Sequence, residues 1–241
     1  MHISRLATLS LFVSCLAAVL LLLGPSLTML RLVAPMTGFY TFLAAGAVGI
    51  LGLALGLVGC LRTRATSPRA GRSRAVQGSL LGATCVAVIA LTAMPSRGLP
   101  PINDITTHTD DAPRFVVIAQ LEANRDRDMT YPGPDFALKQ RAAYADLETL
   151  RFQEDPASLL RRTEEIARSL GWEIRDVDPT AGRIEASDRT WIFGFVDDVV
   201  IRIRPASGVS LLDIRSKSRD GLGDLGANAA RIRRLRDALG E

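Results

Sequence analysis

The sequence predicts an α-helical transmembrane segment of three helices followed by an α+β soluble domain, a two-layer sandwich in which flanking helices cover an antiparallel four-stranded sheet. Three observations carry this. Three uncharged apolar stretches fill the N-terminal third. All 25 acidic residues lie after residue 94. In the remaining chain, a helical periodicity, a series of period-2 alternations and a second helical periodicity follow one another. A hydrophobic share of 48% excludes a disordered chain, and 20 Gly and 12 Pro without a period exclude collagen-like and low-complexity classes.

The membrane module covers residues 1–94, with spans at about 6–24, 36–61 and 75–94. Each is long enough, at about 1.5 Å per residue, to approach the ~30 Å hydrocarbon thickness. Leu, Ala and Val dominate without barrel-like alternation, so helices are the expected spanning form. Pro25 and Pro35 bracket the first connection. The second, from Arg62 to Arg74, carries five Arg and no acid, whereas the first carries only Arg31. The positive-inside rule then places the second connection and the N-terminus in the cytoplasm, and everything after Met94 outside an inner (plasma) membrane. No A-x-A-like site follows the first span, which argues against a cleaved signal peptide. Leu57-Val58-Gly59-Cys60 resembles a lipobox, but its positive charges come after the Cys rather than before it. Small residues recur at Ala45, Gly49, Gly52 and Gly56 and at Gly78 and Gly82, a spacing that suits close packing within one three-helix bundle. No Asp, Glu, Lys, Arg or His lies inside a span, which counts against transport by the helices. Cys15, Cys60 and Cys85 all fall in spans, so the soluble module has no disulfide framework, Cys nucleophile or thiolate metal site.

After a linker at 95–100, the soluble domain covers 101–241. Phe136 to Leu150 is a short amphipathic helix candidate. Asp155 suits an N-cap and Pro156 the first helical position; Leu159, Leu160, Thr163, Ile166, Ala167 and Leu170 then form a stripe that Gly171 ends. Four strands are expected at 172–175, 183–186, 199–204 and 209–216, with turns at 178–182, at Asp197-Asp198 and at 206–208. A last helix starts near Asp224 and ends at Gly240, with Arg233, Arg234 and Arg236 suited to its C-terminal dipole.

One sheet face collects Trp172, Ile174, Ile184, Ala186, Val199, Ile201 and Ile203. The other collects Glu173, Arg175, Arg183, Glu185, Arg202, Arg204, Asp213 and Arg215, and reads as a solvated ladder of cross-strand charge pairs. Trp191, Phe193 and Phe195, at period 2, read as core packing or a buried strand end. The net charge of +4 is a sum of opposites: residues 1–94 hold seven Arg and no acid, while the remainder holds 22 basic and 25 acidic residues. The soluble module is therefore mildly acidic, and nucleic acid is not an expected partner.

Three polar clusters are site candidates. Asn103 to Asp111 contains Asp104, Thr106 and His108, the soluble module's only His. Asp197-Asp198 is simplest as a hairpin turn. The segment from Asp213 to Asn228 holds Arg215, Ser216, Ser218, Arg219, Asp224 and Asn228 where a strand leaves and a helix begins, so hydroxyls, guanidinium groups and backbone N–H groups can converge on an anion. No metal set, cofactor motif or catalytic constellation is complete.

Arg-Ser-x-Ser-Arg at 215–219, Asp-Leu-Gly-x-Asn at 224–228 and Arg231-Ile232 resemble the bacterial family known as domain of unknown function 1499. Matching pieces include Asn103 to Thr107, Gly171 to Ile174, Ile184 to Ala186 and Phe193 to Arg202, covering roughly 101–239 in order. Ala145 stands where the family tends to have Pro, and Gly223 replaces a Ser. The resemblance implies an uncharacterised envelope domain behind membrane helices and supplies no catalytic residue. The expectation is a membrane-anchored extracytoplasmic (periplasmic) domain that binds an envelope protein or a small anionic ligand. The enzyme alternative is a hydrolase centred on Asp104 and His108, with Ser216 or Ser218; the third is a structural scaffold in a membrane complex.

Overall fold

Proline and small residues set the geometry of the N-terminal helices. The structure, a computed structural model, describes residues 2–64 and 69–240; residues 65–68 of the Arg-rich connection lie outside the described residues. A two-residue strand β1 (His2–Ile3) precedes α1 (Arg5–Met29) and α2 (Pro35–Arg62); β2 (Arg69–Ala70), parallel to β1, precedes α3 (Arg72–Ala93). These three helices are long and apolar enough to cross a membrane. Helix α1 runs through Pro25 instead of stopping before it. The missing Pro N–H frees a carbonyl one turn back, and in the same turn the Ser26 hydroxyl donates to Leu22 O and the Thr28 hydroxyl to Pro25 O. Helix α2 starts with Pro35 at its first position, where no N–H is needed.

The small residues are spent inside this bundle. Ser10 Oγ donates to Gly52 O at 2.8 Å and Ser14 Oγ to Gly78 O at 2.7 Å. A Cβ on Gly52 would lie 2.2 Å from Ser14 Oγ, and one on Gly82 would lie 2.7 Å from Gly49 O, so only glycine permits these approaches.

The chain divides into two compact units: residues 1–97 with 191–194, and residues 98–190 with 195–241. In the second, the elements are β3 (Asp104–Thr106), α4 (Pro134–Ala143), β4 (Leu150–Phe152), α5 (Pro156–Ser169), β5 (Glu173–Asp178), β6 (Arg183–Arg189), β7 (Val196–Ala206), β8 (Val209–Ser218) and α6 (Ala227–Leu239). The antiparallel sheet has six strands, not the expected four, in the order β3-β8-β7-β6-β5, with β4 also paired to β8. Strands β3 and β4 follow each other along one side of β8, opposite 217–215 and 212–210 respectively. Each is three residues long, and β3 is buried throughout, so neither shows alternation. Helix α4 ends at Ala143, releasing Leu150 into β4.

Helix α5 forms as its sequence dictates, with Asp155 Oδ1 accepting the Ala157 and Ser158 amides. Its stripe joins Ile184, Val199, Ile201, Leu212, Ile214, Ile232 and Leu235 in the main core. Helix α6 begins at Ala227, not Asp224. Gly226 adopts φ 87° as its N-cap, and Asp224 caps from outside, accepting the Gly226 and Asn228 amides. Asp197 and Asp198 lie inside β7 rather than in a turn, opposite Ser218 and Lys217. Trp191 is 82% exposed at the β6–β7 tip, contrary to its core assignment.

The opposite face of the sheet is largely covered along β6, β7 and β8, while Glu173 and Arg175 of β5 are exposed as expected. Glu185, Asp198, Asp213 and Arg215 are buried, as is Lys217 at the strand's end. Residues 113–131, irregular apart from short 3-10 turns at Ile118–Gln120 and Glu122–Asn124, lie across it. Segments without a ladder of their own must place backbone N–H and C=O groups elsewhere, and here the charged side chains take them. The domain thus has helices on one face of its sheet and a coil layer on the other.

Candidate functional site

Successive residues of β8 face opposite layers, so the signature Arg215-Ser216-Lys217-Ser218 splits into two networks. On the helix side, Ser216 Oγ donates to Asn228 Oδ1 at 2.6 Å, and Asn228 Nδ2 donates to Ser218 Oγ at 2.9 Å and Asn103 O at 3.2 Å. Arg231 donates through Nε to Asp188 (2.7 Å), through one terminal nitrogen to Ser216 Oγ and Asn228 Oδ1, and through the other to Asp197 (2.5 Å). The hydroxyls, amide and guanidinium are thereby engaged in fastening the first turn of α6 to β8 and β7. Burial pushes the Asp224 carboxyl upward, and the two amides it caps oppose that shift.

On the coil side, Arg215 is 1% exposed and grips Asp104 with two parallel bonds of 2.8 and 2.7 Å. Its remaining donors reach Pro113 O at 3.1 Å and Met129 O at 3.0 Å, pinning both ends of the coil layer. Lys217 Nζ adds a 3.0 Å contact to Asp104. Glu185 accepts the amides of Val116, Val117 and Ile118 at 2.8, 3.2 and 2.7 Å. Asp198 accepts from Asn124 and, bidentately, from Arg219 at 2.9 and 2.6 Å, which raises the Arg219 pKa. Arg127 donates to Ser218 O, and its pKa is lowered because burial disfavours its charge. Asp213 is pushed up by burial but held below its ordinary value by Thr149, Arg202 and Arg204.

The Arg215 guanidinium also lies over two rings, 4.9 Å from the Phe115 centroid and 5.7 Å from that of Tyr131. Above it opens a cleft of about 730 Å³ between residues 109–115 and 129–141. Met129, Phe115 and Tyr131 supply its apolar lining, and Arg114 and Arg141 its cations. Arg141 bonds the Thr109 hydroxyl and, at 3.3 Å, Asp110, in a pair exposed enough to exchange readily. Arg114 is exposed, with no ion pair or hydrogen bond among the described residues. The Tyr131 hydroxyl donates to Gln140 Oε1 at 3.1 Å, and burial, reinforced by Asp104, raises its pKa. The Gln140 amide in turn pairs with both backbone groups of Thr106.

A second depression of about 490 Å³ shares Thr109, Asp110 and Arg141 with the first and holds His108. His108 Nδ1 accepts the Asp111 amide at 3.1 Å, which leaves Nε2 as the protonated nitrogen of the neutral ring. The candidate residues therefore separate. Asp104 and Arg215 meet, Ser216, Ser218 and Asn228 meet on the other face, Asp224 caps α6, and Arg219 pairs with Asp198. Thr106 Oγ1 accepts the His108 amide. Among the described residues no hydrogen bond joins the side chains of Asp104, His108 and Ser216. Phe115, Tyr131, Arg114 and Arg141 were not singled out from sequence. The available signal was the presence of aromatic and cationic side chains within a long irregular segment.

Comparison with curated proteins gave no match. Residues 104–239, more than half of the chain, match the model of a family described as "Protein of unknown function (DUF1499)", and the chain belongs to that family.

Proposed function

We propose that this protein is a membrane-anchored binding protein whose extracytoplasmic domain takes a small anionic ligand into the cleft above Arg215. The observation that carries the reading is the cleft's composition: a rigid floor of Arg215 between Phe115 and Tyr131, with Arg114 uncompensated and Arg141 loosely held at the rim. An anion with a flat or apolar body would place its charge on the rim arginines and its body against the rings. Asp104 already neutralises Arg215, so the floor positions and the rim binds. The Arg-rich second connection supports a cytoplasmic N-terminus and an extracytoplasmic domain in a bacterial inner membrane.

Thermal shift of the full chain in lipid nanodiscs, screened against a panel of carboxylates and phosphate esters, tests this, since a ligand of the native state raises the midpoint. A hit whose shift vanishes in Arg114→Ala/Arg141→Ala is the expected outcome. A shift retained in that variant, or none across the panel, would contradict it. A C-terminal reporter fusion active only in the cytoplasm would overturn the orientation.

A further inference from the structure

The cleft above Arg215 and the depression beside His108 lie along one trough. Residues 107–115 form one wall of both, and the other wall runs from Met129 through α4 to Arg151. At about 730 and 490 Å³, each compartment falls within the size range of small-molecule sites. Arg141, in the last turn of α4, crosses between the walls, donating to Thr109 Oγ1 at 2.5 Å and to Asp110 at 3.3 Å. This bar is the partition, since Thr109, Asp110 and Arg141 line both compartments. Next to it the walls are joined by buried groups, because Gln140 takes both backbone groups of Thr106. The joint is therefore fixed. The Arg141–Asp110 pair beside it has side chains 48% and 84% exposed, so its pairing contributes little and yields to a competing anion.

The two compartments differ in chemistry. Phe115, Met129 and Tyr131 make the first a place for a flat or apolar body. The second has Glu148 and Arg151, both exposed and without an ion pair or side-chain hydrogen bond among the described residues, and His108, whose Nε2–H is likewise unpartnered. An acceptor and two donors side by side suit hydroxyl groups, which donate and accept at once. Arg141 offers a positive charge between the two compartments.

We propose that the trough takes a phosphodiester whose phosphoryl group replaces Asp110 on Arg141, with an apolar arm among Phe115, Met129 and Tyr131 and a hydroxyl-rich arm, such as glycerol or a sugar, beside His108, Glu148 and Arg151. The position of the cation decides the class of anion. A carboxylate or a sulfate monoester carries its charge on a single attachment and would fill one compartment only. A phosphodiester keeps a full negative charge with two attachments and fills both, and its two unesterified oxygens match the paired donors of a guanidinium. The inference rests on the reading of the cleft as an anion site and adds the second compartment to it.

Calorimetric titration of the full chain in maltoside micelles, which contribute no phosphate, tests this. Binding is read as the difference from Arg141→Ala, which corrects for partition into the micelle. Phenyl phosphate reaches only the apolar compartment and Arg141, whereas its diester with glycerol spans the trough. The diester is expected to bind about tenfold tighter although it carries less charge, and Glu148→Ala/Arg151→Ala should abolish that gain while leaving phenyl phosphate binding unchanged. Phenyl phosphate binding as tightly as the diester, or a gain retained in that variant, would overturn the proposal and leave the anion site standing. No binding of either probe would remove both. Dihexanoyl phosphatidylglycerol presents the same diester on a lipid. Tighter binding of it than of the phenyl diester would identify a lipid headgroup as the source and weaker binding a soluble diester, and either order supports the diester chemistry.

Discussion

The two faces of one sheet solve the burial problem with opposite chemistry. On the helix side, Ile184, Val199, Ile201, Leu212 and Ile214 meet α5 and α6, and the buried charges Asp197 and Arg231 are confined to the Asn228–Arg231 corner. On the coil side, Glu185, Asp198, Asp213 and Arg215 are equally buried, and Glu185 and Arg215 hold the backbone of a segment that has almost no secondary structure. Helices bring their own hydrogen bonds and need only an apolar surface. A coil brings unpaired amides and carbonyls, so the surface beneath it must supply polar partners, and here Glu185 and Arg215 are the main ones.

The largest way to break this contrast is Arg215→Met. Asp104 would keep only Lys217, and Pro113 O and Met129 O would lose their donor, so a loss of about 3–5 kcal/mol is expected. Denaturant unfolding followed by Trp172 emission in a Trp191→Phe background measures it. In the cycle with Asp104→Asn, the double variant should cost less than the two single variants added together, because the groups touch. Leu212→Ala, on the helix face, should cost about 2–5 kcal/mol through its cavity, with no special effect on residues 113–131. If both variants loosen the coil layer equally, the division of labour between the faces is wrong.

Glu185→Gln should cost less, about 1–3 kcal/mol, because its single amide oxygen can keep either the Val116 and Val117 amides or the Ile118 amide, while its NH2 group faces the other. The smallest effect sits outside both faces. Arg233 holds Asp146 at a pKa of about 2 through two bonds of 2.7 and 2.6 Å. A carboxyl depressed in the folded state stabilises above its unfolded pKa and loses that contribution as pH falls through the folded one. The pair should therefore add stability at neutral pH that disappears between about pH 4 and pH 2. An Asp146→Asn protein should lose that step and be otherwise little changed, since the pair is largely exposed.

Helix α5 was legible because its cap, its proline and its stripe are local signals. The same holds for the three spanning helices, apart from the turn beyond Pro25. Strand β3 was illegible because three residues buried on both faces carry no period, and Asn103 to Asp111 looks equally like a series of turns. Alternation along β6, β7 and β8 separated the two faces correctly. It could not say what lies over the charged one, because a charge facing water and a charge facing an amide are the same letter. The cleft followed from that cover: Phe115 and Tyr131 acquire their role only when the coil folds back over Arg215.

The central claim is that the charged face is a buried anchor for residues 113–131. Hydrogen exchange on the full chain in nanodiscs tests it most directly. The Val116, Val117 and Ile118 amides should be protected well beyond random-coil rates, and Glu185→Gln should speed their exchange while leaving the amides of α5 unchanged. Exchange of these three amides at random-coil rates in the unmodified protein would contradict the account.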